Sequence, residues 1–132
     1  MTEFRAHVCE LWGDLATSRI EVRCHGQASM DILVTTPTEL IAVEAKLYHS
    51  RHLIVQAFLH RYCVDFVYIA VPEKRVIEAR SSEAANFGIG VIAVANGSTR
   101  IIKEARRAKP TQRIRQRLIK SDVHYASAGR NI

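Results

Sequence analysis

Residues 30–47, MDILVTTPTELIAVEAKL, constrain the fold more than any other stretch of the chain. Two short apolar runs rich in β-branched residues flank Thr35-Thr36-Pro37-Thr38-Glu39, a cluster of turn formers, and together they read as two strands folded back on each other. Charge is sparse in them: Asp31 in the first run, Glu44 and Lys46 in the second. Apolar strands of this kind belong to a layered domain, so the rest of the chain has to supply partner strands and covering helices.

The flanking sequence does so. Thr2 can cap a helix to about Leu15, with Phe4, Val8, Leu11 and Leu15 as its apolar stripe. Arg19 to His25 alternates as a half-buried strand, with Ile20, Val22 and Cys24 inward. The second strand begins near Ser29 and the third runs from Leu40 to Leu47. Ser50 caps a second helix from Arg51 to about Val64; it is apolar nearly all round, so it should pack on more than one side, and Gln56, His60 and Arg61 stand out in it. Phe66 to Val71 reads as a central strand. A third helix over Glu73–Phe87, broken near Ser81-Ser82, stops at Gly88. Gly90–Ala95 and Ser98–Lys103 form a hairpin across Asn96-Gly97. Pro110 opens a basic helical segment. The order αβββαβαββ, plus a C-terminal basic helix, predicts the α/β class: a central mixed β-sheet flanked by helices. Residues 1–121 read as a single domain, and 122–132 as a flexible tail.

No apolar run reaches membrane-spanning length and no secretion signal is visible, so a cytoplasmic protein without a membrane partner is expected. Cys9, Cys24 and Cys63 are odd in number and irregularly spaced, which predicts buried free thiols. A zinc site from Cys9, Cys24, His25 and Cys63 finds no support in the spacing, and His49 with His52 lacks a third ligand. The net charge of +6 is concentrated in Arg100, Lys103, Arg106, Arg107, Lys109, Arg113, Arg115, Arg117 and Lys120, against one acid, Glu104. Such a field points to a polyanionic partner.

If the turn centres between Pro37 and Thr38, facing residues have numbers that sum to 75, and Asp31 lies opposite Glu44. Strand alternation then puts Asp31, Glu44 and Lys46 on one face with apolar Leu33, Leu40 and Ala42. Opposed carboxylates about 5 Å apart at Cβ repel each other unless a divalent cation lies between them. Asp31, Glu44 and the Ala45 carbonyl are candidate ligands for Mg²⁺ or Mn²⁺; Lys46 would orient the attacking water or stabilise charge on a phosphate.

Met30-Asp31 followed by Glu44-Ala45-Lys46, set in this element order, resembles the PD-(D/E)xK nuclease superfamily with its restriction-endonuclease-like fold. Met30 stands where the family name has proline. The resemblance, over roughly Glu3 to Lys103, implies that Asp31 and Glu44 bind metal, that Lys46 is the catalytic lysine, and that Gln56 is the glutamine some branches carry in the helix after ExK. It also implies a helix-one acid, Glu3 or Glu10.

The function expected is Mg²⁺-dependent hydrolysis of a DNA phosphodiester, RNA being the other nucleic acid considered, with the basic segment on the backbone and a homodimer to cut two strands. Rivals are a Holliday-junction resolvase, a restriction or phage-defence nuclease, and a non-catalytic nucleic-acid-binding or assembly module.

Overall fold

The structure is a computed structural model of the chain, and the residues described are 2–24, 29–45, 51–76 and 83–120. Six strands form one mixed sheet in sequential order: β1 (Thr17–Val22), β2 (Met30–Thr35), β3 (Leu40–Ala45), β4 (Phe66–Pro72), β5 (Gly90–Ala95) and β6 (Ser98–Lys103). The first three form an antiparallel meander, β3, β4 and β5 run parallel, and β6 returns antiparallel. Parallel neighbours need a crossover. Helix α2 (Arg51–His60) supplies the first, and the segment between β4 and β5 the second.

Each face of the sheet has its own core. Leu33, Leu40, Ala42, Ile69 and Val91 face Leu53, Ile54 and Ala57 of α2 and Leu118 of helix α3, residues 112–120. On the other face Ile32, Ile41, Val43 and Tyr68 pack under Val8 of helix α1 (Thr2–Glu10), with Phe4, Leu11 and Trp12 at the margin. Strands β3 and β4 are covered on both faces, which is why they read as nearly unbroken apolar runs.

Several sequence expectations are corrected. Helix α1 stops at Glu10, followed by turns and by Gly13 at φ +92°, so Leu15 leaves the stripe and is exposed. In β1, Glu21 takes a positive φ, and the inward set differs from simple alternation: Arg19 is buried and donates to the Leu118 carbonyl at 3.1 Å, while Ile20 is exposed on the edge strand. Helix α2 is packed on one side only among the described residues; Val55, Leu59 and Tyr62 form an exposed apolar row. The expected third helix lies largely outside the described residues, at 77–82; the described parts on either side are 3₁₀ turns, Glu73–Arg75 and Glu83–Ala85, with Val76 helical after the first. The expected tail also lies outside it.

Cysteine chemistry is corrected too. Cys24 and Cys63 are joined in a disulfide with Cα atoms 6.4 Å apart, and Cys9 alone is free. Two cysteines 39 residues apart give no local signal; the fold brings the chain just past β1 over the turn that follows α2. The zinc site that the spacing does not favour also loses two of its thiolates.

Candidate carboxylate and metal site

The register of the hairpin is as the turn predicts: Ile32 pairs Val43, Leu33 pairs Ala42 and Thr35 pairs Leu40, all summing to 75. Asp31 and Glu44 come next in the same register, and each carboxylate accepts a main-chain N–H from the opposite strand. The Asp31 N–H donates to Glu44 Oε1 at 3.2 Å, and the Ala45 N–H donates to Asp31 Oδ2 at 3.0 Å. The two carboxylates are thus tied together at the C-terminal end of β3, on the face that α2 covers.

Their surroundings differ. Asp31 is half-buried, whereas Glu44 is only 2% exposed. A carboxylate so deeply placed needs partners. Besides the Asp31 amide it has His60 of α2, whose Nε2 lies 2.6 Å from Glu44 Oε1. His60 is 1% exposed, and its Nδ1 has no partner. One helical turn earlier, Gln56 Oε1 is also buried without a partner. Two buried acceptor-capable atoms therefore lie unsatisfied on one face of α2, the face that reaches Glu44.

These donors suit a hard divalent cation. Mg²⁺ takes oxygen ligands and commonly only one or two protein carboxylates. Asp31, Glu44 and the Ala45 carbonyl are of that chemistry, and the unpartnered Gln56 oxygen is suited to accept from a metal-bound water. Among the described residues no group of three or more His, Cys, Asp and Glu side chains is placed to enclose a metal, so such an ion would keep much of its water.

Other predicted residues scatter. Lys46 and the Glu3 side chain lie outside the described residues. Glu10 pairs with His7 at 3.9 Å in α1, which covers the opposite face, so it does not join the carboxylates. His49 is outside the description, and His52 is exposed.

Four arginines of the basic segment are committed to the fold. Arg100 pairs with Glu73 at 2.6 Å, and Arg106 donates to the Asn86 carbonyl at 2.8 Å. Arg107 pairs with Glu39, its guanidinium 4.8 Å above the Phe66 ring. Arg115 grips Asp65 with two hydrogen bonds of 2.9 Å. Hydrogen bonding to Asp65 raises the Arg115 pKa, and bonding to Glu39 raises that of Arg107. The Asp65 cluster sits at the opposite end of β3 from the carboxylates. Asp65 Oδ2 accepts the Leu40 N–H at 2.8 Å, at the start of β3, and Glu44 is four residues on, about 13 Å along a strand.

No family model matches the chain, and no curated protein matches it. Among solved structures it is similar to the SPO1766 protein of unknown function from Silicibacter pomeroyi, with 17% identity, 86% of this chain and 76% of that one covered, and a TM-score of 0.69. At that identity the likeness shows a shared mixed α/β fold and nothing about activity.

Proposed function

We propose that Asp31 and Glu44 form the centre of a Mg²⁺- or Mn²⁺-dependent nuclease acting on DNA phosphodiesters, on a restriction-endonuclease-like core. The observation that carries this reading is a pair of cross-strand hydrogen bonds, Asp31 N–H to Glu44 and Ala45 N–H to Asp31, that holds both carboxylates at one strand end. Two carboxylates brought together repel each other, and that costs stability unless a cation is shared. When bound, the ion lowers the pKa of its water and neutralises charge on the phosphate. The chain does the rest: Asp31 and Glu44 hold, His60 fixes the Glu44 rotamer, Gln56 accepts from the attacking water, and Lys46 steadies phosphate charge. That water's oxygen would bond phosphorus while one of its protons passes to solvent, the phosphorus–oxygen bond to one sugar would break, and the departing oxygen would take a proton from solvent.

A digestion panel of duplex, flap, single-stranded and four-way-junction DNA with Mg²⁺ or Mn²⁺ tests the reading and separates a resolvase from a general nuclease. Asp31→Asn or Glu44→Gln should lower cleavage by about a hundredfold or more. Cleavage unchanged in either variant would sink it. A homodimer would cut both strands most simply, and sedimentation of the active species measures this.

One observation favours a second reading. His60 already supplies Glu44 with a cation-capable partner, as in a metal-free binding module. The readings part on stability: Mg²⁺ should raise the melting temperature of the native chain and not of Asp31→Asn, because a ligand bound only by the folded state stabilises it by mass action. No Mg²⁺ effect on the native chain would favour the module.

A further inference from the structure

On the other face of the sheet, at the β2–β3 turn, the protein carries a cavity of about 610 Å³. Three aromatic residues stand in its lining: Trp12 and Phe66, and the mostly buried Tyr68, whose ring centroid is 5.4 Å from that of Trp12 and tilted by 60°. Three carboxylates, Asp14, Glu39 and Glu104, also line it, and among the described residues no Lys, Arg or His does. That lining is negative on a chain whose net charge is +6. A polyanion would be repelled here, so the cavity is not an extension of the carboxylate site.

The acids are held in place. Tyr68 donates its hydroxyl to Glu104 at 2.8 Å. Burial, and then this carboxylate, push the Tyr68 hydroxyl well above the usual phenol range, so it remains a donor. Thr36 Oγ1 accepts the Glu39 N–H at 2.9 Å and fixes the turn that carries Glu39. Glu39 uses Oε1 on Arg107, yet its Oε2 is buried with no partner. Arg107 meanwhile lies over Phe66, so one cation already sits between an aromatic face and a carboxylate beside this wall.

We infer that this cavity binds a small organic ammonium ion, its charge held by Glu39 and its neighbours and its alkyl groups against Trp12, Phe66 and Tyr68. Cations bind aromatic faces through the ring quadrupole, and quaternary ammonium groups are recognised by such cages. The volume lies in the range of small-molecule sites.

Trp12 is the chain's single tryptophan and stands in the wall, so its emission reports binding directly. The probes are choline and its uncharged tert-butyl analogue, titrated at low salt without divalent metal. Choline should change Trp12 emission saturably, and the analogue should bind about tenfold more weakly. Glu39→Gln should weaken choline binding. Arg107→Gln should strengthen it, because a competing cation leaves Glu39 and Phe66; circular dichroism confirms that both variants are folded. No saturable response to choline, equal binding of the two probes, or an Arg107→Gln affinity equal to the native one would each overturn the proposal.

Discussion

The side chain that ties most of this molecule together is Asp65. It is 3% exposed, and its carboxylate accepts the Leu40 N–H and two bonds from Arg115. Its main chain adds bonds to Leu40 and Ala108. Asp65→Ala would strand a buried amide and a guanidinium at once, a loss of about 3 kcal/mol, seen as a lower urea midpoint with an unchanged slope. His60 is the comparable residue at the candidate site. Replacing it with Ala leaves Glu44 buried without that partner, so stability should fall by a similar amount, about 3 kcal/mol. If Glu44 is a metal ligand, Mg²⁺ should stabilise His60→Ala more than the native chain, because the ion then offsets an uncompensated charge; equal stabilisation of the two proteins would count against that role. The sequence makes Asp31 and Glu44 legible because a hairpin register follows from a turn and a period of two. It marks His60 only as a polar residue in an apolar helix, since its reach to Glu44 depends on how α2 crosses the sheet. Asp65 has no local signal at all: its partners lie 25 and 50 residues away.

At the scale of elements, the strands are legible and their joints are not. The turn at Asn96-Gly97 and the buried runs of β4 and β5 follow from composition, and the hairpin closes where expected, with Ala95 opposite Ser98. Expectations fail where an edge or a junction decides. Among the described residues β1 is an edge strand paired only with β2; Arg19, opposite Leu33, turns inward beneath α3, and Ile20, opposite Ile32, faces the other side at the open edge. The Cys24–Cys63 bond is another such junction, closing a loop 39 residues long. Chain-entropy arguments assign a loop of that size about 4 kcal/mol. Cys24→Ala should therefore lower the urea unfolding free energy by roughly that amount, and a reductant should do the same to the native protein. A reductant without effect on unfolding would mean that the bridge is not formed in solution. Thiol labelling offers an independent check: the oxidised folded protein should expose a single thiol, Cys9. Burial raises its pKa, so its alkylation should be slower than that of a free cysteine and should speed up as pH rises through that raised value.

For the whole molecule, the positions of charge decide how a polyanion would approach. The carboxylates lie at the C-terminal end of β3. The Arg107–Asp65–Arg115 cluster lies at its N-terminal end, where those guanidinium groups are spent on Glu39 and Asp65. Among the described residues, basic groups at the carboxylate end come from strand exits. Arg23 follows Val22, the partner of Met30, and is exposed beside the Asp31 strand. Lys74 lies two residues past Pro72 and four beyond Ala70, the partner of Ala45, and is exposed as well. A DNA backbone seated on Asp31 and Glu44 would meet these two before it met Lys109 or Arg113. Each phosphate contact contributes close to one unit to the slope of log affinity against log salt. Arg23→Glu and Lys74→Glu should each weaken DNA binding across sequences and reduce that slope by about one. Lys109→Glu and Arg113→Glu should leave the slope unchanged. The reverse pattern in a fluorescence-anisotropy salt titration would place the nucleic acid along α3, away from the carboxylates, and with it would go the case that Asp31 and Glu44 act on a bound phosphate.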